Sequence, residues 1–309
     1  MIEALIKLEI EMRMNCKIDQ FERFMQGKSR VTKYSFYINQ KKFIAKYYRP
    51  GKNNRYYTSV FGEMKKKGIN IIEIEKDFYS VVLFKYCIIM KWMDGKVLDL
   101  KNSTFTREEL YGLAEMAARE LKSIHTFPID KTRKLDLYKE YLRTKRFLIK
   151  KKIDVPHLNE FIKILDIALK ENNDSLYGMT HLDFHTGNII YRNDSAVIID
   201  TETFDITHPW RDFSYALCIN SLCENTYWMS FILAYFDWNI PDEFWEISRN
   251  YVLYHFVKLL ISNYLNHSLE SMYPLAEKIY DEYDCMKSNI PKWIESSLRK
   301  LKSGDKINE

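Results

Sequence analysis

Apolar and polar residues alternate through residues 34–48. Tyr34, Phe36 and Ile38 share one side, Asn39-Gln40-Lys41 interrupts, and Phe43, Ala45 and Tyr47 resume the alternation. A period of two belongs to a strand with one buried face, and the polar interruption belongs to a turn, so the segment is predicted to be a hairpin. Residues 81–93 hold two further short strand-like runs, closed by the turn pair Asp94-Gly95. From Thr106 the period changes. Thr106 and Glu109 form a capping-box pattern, and Leu110, Leu113, Ala117, Leu121 and Ile124 are spaced for one helical face. Pro156 opens another helix with Leu158, Phe161, Ile162, Leu165 and Leu169 turned inward, and nearly everything after Asp212 reads as helical, aromatic and acidic. The expectation is an α+β chain of two lobes, a β-rich portion over residues 1–93 and a mostly helical portion over residues 94–309.

Composition supports a globular chain. The 309 residues are 46% hydrophobic and 15% aromatic, enough for a sizeable core, which excludes collagenous, mucin-like and disordered classes. The start, MIEALIKLEIEMRM, is punctuated by acids and reads as no secretory signal, so the mature chain is expected to begin at Met1. The most apolar stretch, residues 81–93, carries Lys85 and Lys91 and is too short and charged to span a bilayer. Five scattered cysteines without a Cys-x-x-Cys pair fit reduced thiols, and a cytoplasmic location is expected. Charge is uneven. Residues 1–200 hold 37 Lys/Arg against 26 Asp/Glu, and residues 201–309 hold 10 against 16. The basic excess is spread over 200 residues without a dense patch, so nucleic-acid binding is not expected.

The segment richest in chemistry is residues 180–200, Thr-His-Leu-Asp-Phe-His-Thr-Gly-Asn-Ile-Ile-Tyr, then a polar turn, then Ala-Val-Ile-Ile-Asp. Residues 189–191 and 196–199 are strand-like, and the unit reads as a small antiparallel hairpin. Asn188 and Asp200 lie symmetrically about a turn centred at Asp194, which would bring an amide oxygen and a carboxylate together at the open end. That pair suits a hard cation such as Mg²⁺, whose remaining positions go to water and phosphate oxygens. Asp183, five residues before Asn188, is a candidate to accept the proton of an attacking hydroxyl. The competing reading is a surface loop whose Asp and Asn residues make turns and caps.

His-Leu-Asp-Phe-His-Thr-Gly-Asn followed by Val-Ile-Ile-Asp resembles the catalytic loop and metal-binding strand of the aminoglycoside phosphotransferase and choline kinase-like family, within the protein kinase-like superfamily. Further matching stretches follow the family's order: Phe-Ile-Ala-Lys ending at Lys46, residues 88–98, 113–127 and 207–217. The resemblance implies a protein kinase-like two-lobe fold, with a small antiparallel-sheet nucleotide-binding lobe and a larger, mainly helical catalytic lobe. It implies that Asp183 orients or deprotonates the acceptor hydroxyl, that Asn188 and Asp200 bind Mg²⁺, and that His181 and Asp212 support the loop. By the same resemblance Lys46 contacts the phosphates of ATP or GTP, the glycine-poor loop 26–30 covers them with Ser29, and the Lys91 carbonyl and Met93 N–H hold the adenine. The helix glutamate expected to pair with Lys46 has no well-placed counterpart, since Glu63 falls too late. His185 reads as a hydrogen-bonding loop residue or a second catalytic histidine, and Glu202 as a metal-water partner or a solvent-facing acid.

Residues 201–285 contain 13 acids and 4 bases. An acidic wall would concentrate a cationic hydroxylated small molecule, and an aminoglycoside is the acceptor favoured by the resemblance. Choline, ethanolamine and amino-sugars are competing acceptors. Trp210, Trp228, Trp238, Trp245 and several tyrosines in this region are candidates to cage a quaternary ammonium, or core residues. A kinase-fold binding or coat-associated protein with weak catalysis is the alternative from a different class.

Overall fold

The computed structural model describes residues 1–25, 31–50, 54–98, 100, 105–171, 176–192, 194–200, 204–218 and 225–302. The fold is α+β, and it divides into two compact units, residues 1–96 with 190–201, and residues 97–189 with 202–309.

In the first unit, helix α1 (Ile2–Met14) leads into an antiparallel sheet of β1 (Asp19–Arg23), β2 (Thr32–Ile38) and β3 (Lys41–Tyr48), then helix α2 (Asn54–Lys66), then β4 (Ile74–Ser80) and β5 (Lys85–Lys91). The spatial order is β1-β2-β3-β5-β4. The predicted hairpin is β2–β3. Ile38 pairs with Lys41, and Asn39 and Gln40 take φ of 48° and 65°, the left-handed pair whose twist matches that of the flanking strands. Tyr34, Phe36, Phe43, Ala45, Tyr47, Phe78, Cys87 and Ile89 form one packed face with Ile6 and Ile10 of α1. Because strand side chains alternate, Lys46 belongs to the opposite face, yet it too is buried.

The strand-like runs expected over 81–93 need correction. The strands are β4 and β5, and residues 81–84 are the turn between them. Val81 and Phe84 are exposed, and Phe84 has φ of 52°. Glu9 of α1 takes the place of a strand partner, accepting from Ser80 Oγ at 2.5 Å and from the Val81 N–H at 2.8 Å. A buried carboxylate from a helix therefore ends the strand where hydropathy alone would extend it.

A second sheet, in the order β6-β8-β9, is made by β6 (Lys96–Val97), β8 (Ile189–Arg192) and β9 (Ser195–Ile198) and lies almost wholly in the first unit. The predicted 189–199 hairpin is β8–β9. The segment after α2 clamps it: Ile198 N–H donates to the Asn70 carbonyl at 3.1 Å, and Ile72 N–H donates to the Ile198 carbonyl at 3.2 Å.

The second unit is mainly helical: α3 (Arg107–His125), α4 (Leu137–Lys150), α5 (Leu158–Glu171), α6 (Ser214–Cys218), α7 (Asn225–Tyr235), α8 (Glu243–Leu265), α9 (Tyr273–Glu282) and α10 (Lys292–Lys302), with the short pair β7 (Gly178–Thr180) and β10 (Asp205–Thr207). The capping box is present, with Thr106 Oγ1 accepting the Glu109 N–H at 3.2 Å and Glu109 Oε2 accepting the Thr106 N–H at 2.7 Å. α3 packs along α7 through Ala114, Ala117, Ala118, Leu121 and Ile124, where small side chains allow close approach. α5 buries Leu158, Phe161, Leu165 and Leu169 as its spacing predicts. The aromatics after residue 204 are mostly core: Tyr227, Trp228, Tyr251 and Tyr254 are at most 1% exposed, while Trp238 and Tyr273 are exposed, at 73% and 40%. No helix among the described residues is long and apolar enough to cross a membrane.

Replacing Glu9 by Ala leaves the Val81 N–H and the buried Ser80 hydroxyl without their acceptor. A loss of about 1–3 kcal/mol is expected, measured by urea unfolding of the full chain. An unchanged midpoint would show that the carboxylate does not hold this turn.

Candidate functional site

β7 and β10 pair in antiparallel register, Thr180 opposite Asp205 and Gly178 opposite Thr207. A Cβ on Gly178 would lie 2.4 Å from the His125 carbonyl, so only glycine lets β7 approach the end of α3 this closely. Beyond β10, His208 caps the tight turn of residues 209–213 by accepting the Trp210 N–H on Nδ1 at 3.2 Å. That turn carries Asp212 beneath the start of the loop that follows β7.

Asp212 is 2% exposed. Its Oδ2 accepts the His181 N–H and its Oδ1 the Leu182 N–H, both at 2.6 Å, and Oδ2 also lies 2.9 Å from His125 Nε2. A carboxylate only accepts, so His125 Nε2 carries a proton, while Nδ1 lies 2.7 Å from the Tyr235 hydroxyl. Burial acts to raise the Asp212 pKa, but the hydrogen bond and charge of His125, with support from His181, outweigh it and hold the carboxyl below its ordinary value. The bond at Leu182 has a further effect. Leu182 has φ of 65°, a left-handed conformation that a bulky side chain rarely adopts, and two backbone donors on one buried carboxylate hold it there.

The loop's next residues are placed in turn. His181 is fully buried and accepts the Asp183 N–H on Nδ1 at 3.3 Å. Phe184 is 1% exposed against Trp228 and Phe231, which anchors the loop in the helical core and is worth about 1.5–3 kcal/mol. Between these anchors Asp183 presents a side chain that is 44% exposed. Asn188 is buried, and its Nδ2 donates to the Asp183 carbonyl at 2.9 Å, which leaves its amide oxygen as the donor atom for a ligand. His185 Nδ1 accepts the Gly187 N–H at 3.0 Å, so the ring proton sits on Nε2, 3.8 Å from Asp183 Oδ2. A Cβ on Gly187 would lie 2.7 Å from the His185 ring. Asp183, His185 and Asn188 thus form one cluster.

In the first unit, Lys46 and Asp200 meet in an ion pair, with side chains 9% and 25% exposed. Lys46 comes from the middle of β3 and Asp200 lies two residues past the end of β9, with φ of 62°. Glu63 is exposed on α2, so the carboxylate at Lys46 comes from residue 200. Lys91 ends β5, with Nζ 2.5 Å from Glu73, whose hydrogen bond moves the Lys91 pKa up; Met93 follows two residues on, half-buried. Ser29 and Glu202 lie outside the described residues.

No group of three or more His, Cys, Asp or Glu with metal-holding geometry occurs among the described residues. Each unit offers one oxygen donor of the kind a hard cation takes, the Asn188 amide oxygen in the second and the Asp200 carboxylate in the first.

Sequence reasoning missed a cavity of about 360 Å³ beside the loop, lined by Leu182, Arg211, Ser214, Tyr254, His255 and Lys258 among others. His255 feels the Asp183 charge, yet burial pushes its pKa down to about 4 and keeps it neutral near pH 7. A larger cavity of about 750 Å³, lined in part by Tyr111, Met229, Leu233, Trp238 and Trp293, holds Trp238 of the expected aromatic residues and none of the expected catalytic, nucleotide or metal residues.

A sequence model of the phosphotransferase enzyme family matches residues 32–248. No curated protein matches the chain in sequence. Among solved structures, the chain is similar to the GDP complex of an aminoglycoside 2′-phosphotransferase-IIIa mutant, with 12% identity, TM-score 0.69, and 93% of this chain and all of that one covered. It is also similar to the streptomycin-ATP ternary complex of APH(2″)-IIa, with 16% identity, TM-score 0.62, and 90% and 98% covered. A third is a thermostable mutant of aminoglycoside phosphotransferase APH(4)-Ia with ADP and hygromycin B, with 12% identity, TM-score 0.66, and 89% and 97% covered. At these identities the likeness is one of fold, the kinase-like α+β fold.

Burial pushes His208 down to about 4, with His125 adding to the shift, as burial does for His255. Unfolding lets both titrate near 6.5, so the unfolded chain binds more protons below that pH and stability falls as pH drops from about 6.5 toward 4. Each histidine contributes on the order of 2–3 kcal/mol to that loss. His208→Asn keeps an acceptor for the Trp210 N–H and should remove roughly half of the loss between pH 7 and 4.5, followed by urea unfolding. A slope as steep as the native chain's would contradict the buried, neutral state of His208.

Proposed function

Because this chain belongs to the phosphotransferase enzyme family, we propose that it transfers the γ-phosphoryl group of ATP, or of GTP, to a hydroxyl of a small acceptor. Asp183 takes the hydroxyl proton as the oxygen bonds to the γ-phosphorus and the bond to the nucleoside diphosphate oxygen breaks. Asn188 Nδ2 donates to Asp183 Oδ2 at 3.4 Å and keeps that carboxylate aimed, while His185 Nε2 stands 3.8 Å from the same oxygen. Lys46 engages the nucleotide phosphates, Ser29 and the backbone of residues 26–30 cover them, and the Lys91 carbonyl and Met93 N–H receive the base. Asn188 and Asp200 would hold Mg²⁺, whose chemistry is to neutralise charge on the phosphates. His181 and Asp212 position the loop. Residues 1–93 form the nucleotide-binding lobe and residues 94–309 the catalytic and acceptor lobe of a cytoplasmic enzyme that binds neither nucleic acid nor membrane.

The observation that carries this reading is the Lys46–Asp200 pair. A cation this buried is costly unless a carboxylate meets it, and an arriving polyphosphate with its metal is the ligand that can take both partners at once.

A cationic, hydroxylated acceptor of aminoglycoside type is supported by the acid surplus after residue 201 and by the compounds bound to the similar structures. Choline, ethanolamine and amino-sugars remain the competing acceptors within the same chemistry. The second reading, a kinase-fold binding or coat-associated protein with weak catalysis, is favoured by the glycine-poor loop 26–30 in the sequence and by the exposure of Glu63, the α2 acid nearest in sequence to the expected partner of Lys46.

Asp183→Ala should lower the transfer rate by about 10²–10⁴-fold while nucleotide affinity stays within a few-fold, measured by phosphate transfer and by titration with Mg-ATP. Transfer within tenfold of the native rate would remove Asp183 from the reaction, and no Mg-ATP binding by either protein would favour the second reading.

A further inference from the structure

The cavity beside the catalytic loop has a chemistry that composition does not suggest. Among the described residues no acid lines it, and two of its lining side chains, Arg211 and Lys258, are cations. Arg211 is 7% exposed, and its Nη1 is buried without a hydrogen-bond partner. His255 Nε2 is likewise buried without a partner. Among the described residues the carboxylate paired with them is Glu140: its Oε1 lies 2.6 Å from Lys258 Nζ, and its Oε2, itself without a hydrogen-bond partner, lies 3.8 Å from Arg211 Nη2. Burial acts to raise the Glu140 pKa, but Lys258 and Arg211 outweigh it and keep the group ionised. Two cations thus share one paired anion, and the other acid whose charge reaches the cavity, Asp183, acts on His255 from beyond Leu182.

The geometry of Arg211 fixes what that charge can recognise. Its guanidinium lies 5.0 Å from the centre of the Tyr254 ring, which holds the fork flat, and Lys258 Nζ approaches the same ring at 5.8 Å. A planar, immobilised guanidinium with a free N–H matches a carboxylate or phosphate oxygen, and the buried donor is costly until one arrives. Ser214 lines the same wall with a hydroxyl, and the neutral His255 imidazole adds a second polar atom. Leu182 closes the cavity toward the loop, one residue before Asp183.

Several of the described acids that suggested an acidic wall sit elsewhere, and Asp212, next to Arg211, is taken up by the His181 and Leu182 N–H groups and His125. Asp242, Glu243 and Glu246 stand exposed at the start of α8, Glu277 pairs with His157, and Asp237 pairs with Lys122. Exposed charges of this kind are screened over about 10 Å, whereas Arg211 is buried in the wall itself.

We infer that the acceptor carries an anionic group, a carboxylate or a phosphate, which binds Arg211 and Lys258 while its hydroxyl faces Asp183. This rests on the phosphoryl-transfer reading above and replaces its acid-free cationic acceptor with one that bears an acid group. An aminoglycoside without an acid group leaves Arg211 Nη1 unpaired, whereas a hydroxy acid or a phosphorylated polyol pairs it.

Calorimetric titration of the full chain, saturated with Mg-ADP, tests this with two probes, inorganic phosphate and acetate, against chloride. At least one probe should bind in preference to chloride, and the tighter names the acceptor's group. Lys258→Gln, at a half-exposed position that tolerates change, should weaken binding about five- to tenfold, and Arg211→Gln more so if it folds. Equal binding by the native chain and Lys258→Gln, or no preference over chloride, overturns the inference. Kinetics separate it from the reading it rests on. Transfer to acid-free aminoglycosides with a KM unmoved by Lys258→Gln would sink the anion site and leave phosphoryl transfer standing. Anion binding that weakens in Lys258→Gln, with no hydroxylated acceptor phosphorylated, would leave the site and sink the transfer.

Discussion

The loop that carries Asp183 depends on one buried carboxylate. Taking Asp212 out of water costs several kcal/mol unless hydrogen bonds replace its hydration, and here two backbone N–H groups and an imidazole do so. The surrounding structure exists to bring those donors to it. β10 and the His208-capped turn deliver Asp212, β7 delivers His181 and Leu182, and the end of α3 delivers His125 against a glycine. The left-handed backbone at Leu182 is the conformational cost of aiming Asp183 outward from this anchor, and Phe184 secures the far side in the aromatic core. Because every partner is fixed by regular structure, a sub-ångström change at Asp212 reaches Asp183 through the backbone itself.

The same economy recurs in the first unit. Lys46 lies on the sheet face opposite the α1 core, buried, and is tolerated because Asp200, two residues past the clamped strand β9, meets it. Each of the two centres therefore keeps a charge that is stable only with a specific partner. Buried charge of this kind contributes little net stability, but it creates a strong preference for a ligand of matching charge. Arg211, with Glu140 and Lys258, follows the rule a third time, and its unpaired Nη1 makes the preference directional.

Much of this was legible where interactions are local. The β2–β3 hairpin follows from alternation and an Asn-Gln turn, α3 from its capping box, and α5 from the spacing of its apolar residues. The Asp183–Asn188 cluster was visible because its members lie five residues apart, and Asp200 because a short apolar strand ends on it. The misplacement at 81–84 has a tertiary cause, since Glu9 lies about seventy residues away and only the fold brings it to the turn. β4 escaped notice because Ile-Glu-Lys-Asp-Phe-Tyr-Ser is polar enough for an edge strand. The partner of Lys46 could not be read either, because β9 reaches β3 only through the clamp after α2. Position along the chain also cannot show that residues 190–201 join the first unit. The cavity at Arg211 was the least legible feature: α4, the turn before α6, and α8 each supply one charge, with Glu140 and Lys258 separated by 118 residues. Summed composition pointed to acids, and only contact geometry located the cations.

Hydrogen exchange at the His181 and Leu182 amides, compared between the native chain and Asp212→Asn, tests most directly whether the buried carboxylate sets the loop. An amide of the same size can accept only on one side, so one of the two N–H groups loses its acceptor. Slow exchange in the native chain, speeded by tenfold or more at these two amides while the α3 and α7 amides stay protected, is the expected result, with phosphoryl transfer falling in step. Unchanged exchange and unchanged transfer in Asp212→Asn would contradict it.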